Sequence, residues 1–211
     1  KYRYALNYCT YSYSYPFYNW KDFEKELDWM SLNGINLMLA PVGTEIVWQE
    51  TLLKLGFSKE EVANFIPGPA YTAWWLMGNL EGWGGPMSQE MIEDRYQLQL
   101  KILQRMKELG IKPVLQGFPG IVPSFFKDKY PTAQVISQGL WGAFQRPYIL
   151  LPGNEIFDKV AKEYYDCVKK FYGDDFQFFG GDLFHEGGNS QGVDLAKTAH
   201  LVQQKMLEFF P

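Results

Sequence analysis

Hydrophobic positions follow two alternating rhythms along the 211 residues. Compact runs rich in aliphatic and aromatic residues, at Tyr4–Cys9, Ile35–Val42, Ile111–Gln116 and Phe176–Gly181, read as strands. The continuous apolar character of Ile35–Val42 suits a strand buried on both faces, as in a parallel sheet. Between these runs lie longer segments whose apolar residues recur every three or four positions, the spacing of one helix face. The first spans Trp20 to Asn33 with stripe Trp20, Phe23, Leu27 and Met30, Asn19 as N-cap, Asp22 three residues on, and Gly34 closing it. The second covers Gln89–Leu109, capped by Ser88, stopped by Gly110, and striped by Ile92, Tyr96, Leu100, Leu103 and Met106. The third, Glu155–Tyr172, carries Phe157, Val160, Tyr164, Val168 and Phe171 and ends at Gly173. The fourth, Asp194–Phe210, turns Leu195, Ala199, Val202, Met206 and Phe209 inward.

The order is strand then helix, four times over. Helix-to-strand junctions are tight and glycine-closed at Asn33-Gly34-Ile35, Leu109-Gly110-Ile111 and Tyr172-Gly173. Strand-to-helix connections are long, from Gly43 to Met87 and from Gly117 to Asn154. The first of these holds a helix over Glu45–Leu55 and a second helix opened by the capping box Ser58-Lys-Glu-Glu61. Long loops at the strand C-termini are the mark of a barrel with its active site there. The expected fold is therefore α/β: the first four βα units of a (β/α)8 TIM barrel, with parallel strands and long βα loops. A doubly wound open sheet gives the same alternation, but usually has a glycine-rich turn after its first strand. Thr-Tyr-Ser-Tyr-Ser-Tyr-Pro-Phe, which follows Cys9, has no glycine. A complete four-stranded α/β domain is the other alternative. The favoured reading is a half-barrel, with Lys-Tyr-Arg-Tyr at the start read as mid-protein.

Charge narrows the partners. Twenty basic residues against 24 acidic ones give a net charge of −4, so no basic face is expected for nucleic acid or an anionic membrane. No apolar run approaches the ~20 residues of a membrane span. With only two histidines, His185 and His200, a metal-dependent barrel hydrolase or isomerase is disfavoured; no metal and no cofactor are expected. Cys9 and Cys167 fall at a strand end and inside a helix, and no disulfide between them is expected. Aromatics reach 18% while charged residues stop at 21%, a balance that suits surfaces stacking on flat apolar faces such as sugar rings.

The fourth strand runs into Gly-Gly-Asp182-Leu-Phe-His185-Glu186-Gly-Gly. A carboxyl just past a barrel strand overlooks the barrel mouth. Aromatic walls would desolvate it and hold a proton for a leaving oxygen, as glycoside cleavage requires. The competing readings of Glu186 are a solvated loop acid or an N-cap partner for the last helix. Asp182 reads as a supporting group at the rim. Glu45 reads as a helix-dipole partner rather than a catalyst. Of seven tryptophans, Trp48, Trp74, Trp75, Trp83 and Trp141 lie in the long loops, where Tyr11, Tyr13, Tyr15, Phe17 and Tyr18 join them from the first. About half should form the loops' own core, leaving the rest to line a pocket. On a strand, Asn7 and Cys9 would point the same way, onto the pocket floor.

Five segments together resemble glycoside hydrolase family 89, the α-N-acetylglucosaminidases: Asn7-Tyr-Cys9-Thr-Tyr-Ser-Tyr-Ser, Leu27-Asp-Trp-Met-Ser-Leu-Asn-Gly-Ile-Asn-Leu, Gly68-Pro-Ala-Tyr-Thr-Ala-Trp74-Trp-Leu-Met77-Gly-Asn-Leu80, Trp141-Gly-Ala-Phe and Gly181-Asp-Leu-Phe-His-Glu186. They cover the chain in order. The resemblance implies that residues 1–211 are the N-terminal half of a catalytic TIM-barrel domain within a larger multidomain protein. It implies a retaining exo-glycosidase releasing terminal α-linked N-acetylglucosamine from glycans, secreted, periplasmic or cell-surface, or lysosomal. Glu186 would be the acid/base, and a second glutamate beyond Pro211 the nucleophile. Asn7, Cys9, Trp74, Met77, Trp141 and His185 would bind the sugar, His185 standing where the lysosomal member has asparagine. The alternative is a carbohydrate-binding barrel protein that has lost catalysis. Neither the natural glycan nor the oligomeric state follows from the sequence.

Overall fold

The computed structural model describes all of residues 1–211. Its centre is a four-stranded sheet of β1 (Tyr4–Ala5), β2 (Leu37–Leu39), β3 (Lys112–Gln116) and a last strand, Phe178–Gly180, in that spatial order. All three pairings are parallel, with Tyr4 opposite Leu37, Leu37 opposite Lys112, and Val114 opposite Phe178. Parallel pairing sends every strand C-terminus to one edge. The loops that follow Ala5, Leu39, Gln116 and Gly180 therefore gather on one side of the molecule.

In chain order the helices are α1 (Tyr8–Tyr13), α2 (Trp20–Leu32), α3 (Thr44–Lys54), α4 (Lys59–Phe65), α5 (Thr72–Leu76), α6 (Gln89–Leu109), α7 (Phe126–Lys129), α8 (Glu155–Tyr172) and α9 (Leu195–Phe209). The long helices begin and end where local chemistry directs. Asn19 and Asp22 form a capping box on α2, as do Ser58 and Glu61 on α4. The Ser88 and Asn154 side chains accept from backbone N–H groups in the first turns of α6 and α8. Gly110 ends α6 at φ +69°, a left-handed conformation that glycine adopts without steric cost.

One expectation fails and two are met only in part. The first strand does not run from Tyr4 to Cys9: it stops at Ala5, Leu6 takes φ +70°, and Asn7 caps α1 by accepting from the Thr10 N–H. The Tyr/Thr/Ser-rich segment has β propensity, but packing overrides it. As a helix it buries Tyr11, which donates to the Leu39 carbonyl, and rests against α5. On α6 Ile92 and Met106 are buried and Tyr96 and Leu103 pack against the core as expected, but Gln99 and Ile102 are fully buried beside them. Gln99 is tolerated there because its amide donates to the Ala40 carbonyl at 2.8 Å. On α9 Val202, Met206 and Phe209 pack against the core as expected, but only Thr198 is fully buried and Leu195 is 49% exposed. The adjacent strand, Phe178–Gly180, has a neighbour on one side only, so the apolar stripe of α9 borders an open groove.

The long loops carry structure that the sequence did not announce. After β3, β4 (Ile121–Val122) pairs antiparallel with β8 (Tyr148–Leu150), which also pairs with β5 (Val135–Ile136). A small hairpin joins β6 (Leu140–Trp141) to β7 (Phe144–Gln145). The last strand of the central sheet is thus β9. Trp48 and Trp75 supply the loops' own core: Trp48 meets Phe65, Trp75, Phe118 and Tyr164 at ring-centroid distances of 5.1–6.2 Å. A buried ion pair ties this core to α6. Glu45, fully buried, accepts from Arg95 Nε at 2.7 Å and from Thr72 Oγ1 at 2.9 Å. That is a structural role for Glu45, as its place at the start of α3 suggested. Cys9 and Cys167 are both free thiols.

Candidate active site

The site candidate is the turn after β9. His185 accepts from the Gly188 N–H at 2.8 Å, closing a four-residue turn whose central residues, Glu186 at φ +25° and Gly187 at φ +73°, both lie at positive φ. The turn is closely packed at Gly188, where a Cβ would lie 2.8 Å from Gln138 Oε1 and 3.0 Å from the His185 carbonyl oxygen. The turn aims the Glu186 carboxylate at the long loops. Its Oε2 accepts from Trp141 Nε1 at 3.1 Å and from Asn79 Nδ2 at 3.2 Å.

Both donors are fixed locally. Asn79 follows a Schellman motif at the end of α5: Gly78, at φ +78°, donates to the Trp75 carbonyl at 2.8 Å, and Asn79 donates to that of Trp74 at 2.9 Å. The motif turns the chain so that the Asn79 side chain is wholly buried with one amide N–H directed at Glu186. Trp141 sits on the β6–β7 hairpin. Its ring packs 5.4 Å from that of Trp74, which in turn meets Tyr13 at 5.8 Å and Tyr71 at 6.1 Å. The aromatic surface continues from Trp141 through Phe144 at 6.2 Å to Trp83, a further 4.7 Å on.

Of the residues singled out in the sequence, Trp74 and Trp141 come together with Glu186, both partly exposed. Met77 is in the same segment but buried, at 5% exposure. His185 is half-buried; its Nε2 lies 3.7 Å from Asp182 Oδ2, and its Nδ1 is buried with no partner. Asp182 thus supports His185 rather than Glu186. Asn7 and Cys9 do not share a strand face. Asn7 uses its side-chain oxygen to accept from the N–H and hydroxyl of Thr10, and Cys9 lies in the first turn of α1. Their helix packs on α5 and, through the Tyr8 hydroxyl that donates to Gln116 Oε1 at 2.5 Å, reaches the C-terminal end of β3. Glu186 itself is exposed, so the enclosing walls expected to desolvate it are not assembled by these residues alone.

Two contributors escaped the sequence reading. Asn79 stood in a notable block but had no feature separating it from its neighbours. Arg146, buried at 3% exposure, donates from Nη1 to the His185 carbonyl at 3.0 Å and from Nη2 to that of Glu186. A single arginine between Gln145 and Pro147 gives no periodic or motif signal. Further out, Glu81 is largely buried between the two long loops. It accepts from the Ser124 N–H at 3.0 Å and from the Ser124 hydroxyl, and burial pushes its carboxyl up to about 7.

No cluster of three or more His, Cys, Asp or Glu side chains suited to a metal occurs, and no helix is long and apolar enough to cross a membrane.

Comparison with known proteins accords with this geometry. The chain is 42% identical over 161 residues, 74% of its length, to the human α-N-acetylglucosaminidase, of which that covers 22%. A family 89 glycoside hydrolase from Clostridium perfringens, solved with 2-acetamido-1,2-dideoxynojirmycin, superposes with a TM-score of 0.95 at 47% identity over 99% of this chain. The same bacterial enzyme, as a variant with two glutamates changed to glutamine and in complex with its substrate GlcNAc-α-1,4-galactose, superposes with a TM-score of 0.95 at 46% identity. The chain spans about a quarter of the length of these relatives, 22% of the human protein and 24% of the bacterial one. The model of the α-N-acetylglucosaminidase (NAGLU) tim-barrel domain matches residues 3–211. With that match over nearly all of its length, an α/β sheet of parallel strands and relatives above 40% identity, the chain belongs to the α-N-acetylglucosaminidase tim-barrel family.

Proposed function

We propose that residues 1–211 are the first four βα units of a (β/α)8 barrel, the N-terminal half of the catalytic domain of a larger protein. That protein hydrolyses terminal α-linked N-acetylglucosamine from glycans with retention of configuration. The observation that carries the reading is the Glu186 carboxylate at the C-terminal edge of the parallel sheet, hydrogen-bonded to Trp141 and Asn79 beside the Trp74 ring. The indole and amide N–H groups orient the carboxyl, and the aromatic surface offers an apolar face to a pyranose ring.

Glu186 is the acid/base. It gives a proton to the departing glycosidic oxygen and then takes one from the water that attacks the intermediate. A protein nucleophile is required on stereochemical grounds. In an α-linked N-acetylglucosamine the 2-acetamido group lies on the same face as the leaving oxygen and cannot attack from behind. A second carboxylate about 5 Å from Glu186 would do so, contributed by a strand beyond Pro211. The two glutamate-to-glutamine changes in the bacterial relative's substrate complex accord with such a pair. Later strands would also complete the walls around the exposed Glu186. Asn7, Cys9, Trp74, Met77, Trp141 and His185 are the sugar-binding residues of the proposal, with Trp74 and Trp141 gathered at Glu186. The partner is a glycan ending in α-N-acetylglucosamine, met in a secreted, periplasmic, cell-surface or lysosomal setting. No nucleic-acid, membrane, metal or cofactor partner is part of the proposal.

The test is Glu186→Gln in the full-length protein, assayed on a disaccharide and on an activated aryl α-glycoside. Loss of general acid catalysis should cost about 10²–10⁴-fold on the disaccharide, whose leaving group needs the proton, and much less on the aryl substrate. Equal, near-normal rates on both would remove the acid assignment and favour a carbohydrate-binding protein without catalysis.

A further inference from the structure

Arg146, at 3% exposure, is the chain's one fully buried arginine, and unlike the partly buried Arg95, which pairs with Glu45, it has no carboxylate within ion-pair distance. Burying a cation without a carboxylate partner is costly unless hydrogen bonds offset it, so its location turns on what its donors reach. Burial lowers its pKa from the ordinary value, and the negative charge of Glu186 opposes that shift. Its donors go to the carbonyls of His185 and Glu186, the residues at which the active-site turn bends. Gln138, also buried, holds the turn's far side. Its Oε1 accepts from the Asn189 N–H at 2.8 Å, and its Nε2 donates to the Asn189 carbonyl at 3.1 Å.

The turn needs such a clamp. Glu186 is one of two non-glycine residues in the chain at positive φ. A residue with a Cβ is strained in so sparsely populated a region, and stays only where its surroundings dictate it. Relaxing to negative φ would swing the Cα–Cβ bond and carry the carboxylate away from Trp141 and Asn79.

We propose that Arg146 is a positioning residue for Glu186: by gripping two successive carbonyls it holds the turn in the left-handed conformation that aims the carboxylate. Gln138 serves as the second brace. This rests on the reading of Glu186 as acid/base. Arg146 touches neither substrate nor reacting atoms. Its effect is on where the proton donor stands, so it should appear in kcat rather than in KM.

The experiment compares Arg146→Gln, Arg146→Lys and Gln138→Met in the full-length protein, each first checked for a native melting transition. Each is then assayed on the disaccharide and on the activated aryl glycoside. A donor displaced by about 1 Å loses on the order of 100-fold. Arg146→Gln should therefore lose about that much kcat on the disaccharide with little change in its KM, and several-fold at most in kcat/KM on the aryl substrate, a ratio that does not include the later step in which Glu186 serves as base. Arg146→Lys should recover part of the loss, because an ammonium can reach one carbonyl. Gln138→Met should give a weaker loss of the same selectivity; if both arginine variants fail to fold, it decides the matter alone. Equal losses of kcat/KM on both substrates, a rise in KM at unchanged kcat on the disaccharide, or wild-type rates would overturn the proposal. If Glu186→Gln shows the leaving-group selectivity and these variants do not, the positioning role falls and the function stands. If Glu186→Gln shows none, both fall.

Discussion

Glu81 makes the stability of this domain depend on pH in an unusual direction. Its carboxyl lies between the two long loops, held by Ser124, while its own backbone N–H donates to the Gln145 carbonyl at 3.0 Å, one residue from Arg146. Burial raises its pKa from 4.5 to about 7, against the opposing pull of the Ser124 hydrogen bonds. The folded chain therefore binds this proton more tightly than the unfolded chain does. Stability from this group is fully present below pH ~4.5 and is lost as pH rises towards and through ~7. A shift of 2.5 units at 1.36 kcal/mol each sets a ceiling of about 3 kcal/mol. Glu81→Gln keeps the shape and the hydrogen-bonding capacity but cannot ionise. Urea unfolding followed by tryptophan fluorescence, at pH 5, 6, 7 and 8 and constant ionic strength, reads the effect. The variant should match the parent near pH 5 and exceed it by roughly 2–3 kcal/mol at pH 8. A difference that stays flat across that range would refute the reasoning, because it would mean the carboxyl titrates alike in both states.

Two further outcomes test the frame around the site. Arg95→Met leaves the fully buried Glu45 with Thr72 as its remaining side-chain donor; unfolding should show a loss of about 3–5 kcal/mol, much of it recovered when Glu45→Met is added. Trp141→Phe keeps an aromatic ring against Trp74 but removes the indole N–H given to Glu186, so full-length activity should fall about tenfold while the melting temperature changes little.

The helices were legible in the sequence because their signals are local. Gln89–Leu109 and Glu155–Tyr172 form with the bounds expected, since caps at Ser88 and Asn154 act within a single turn. The parallel order followed from the strand–helix rhythm, and the site's edge from the lengths of the loops. Tyr4–Cys9 misled because its aromatic and hydroxyl residues favour a strand, while α1 forms through contacts with α5 some 60 residues away, which no local pattern encodes. The stripe on α6 omitted Gln99 for a similar reason: it is polar, and its burial depends on the Ala40 carbonyl, 59 residues away in the chain.

The same division holds at the site. Sequence alone determined that a carboxyl would follow the fourth strand and that tryptophans would crowd the loops, because both are consequences of chain order. That Glu186 meets Asn79 across 107 residues and Trp141 across 45 was decided by tertiary structure. So was the buried Arg146, whose worth lies entirely in the carbonyls it reaches. Hydrogen bonds act over about 3 Å and need fixed angles, so they exist only once a packed sheet has set distant segments side by side.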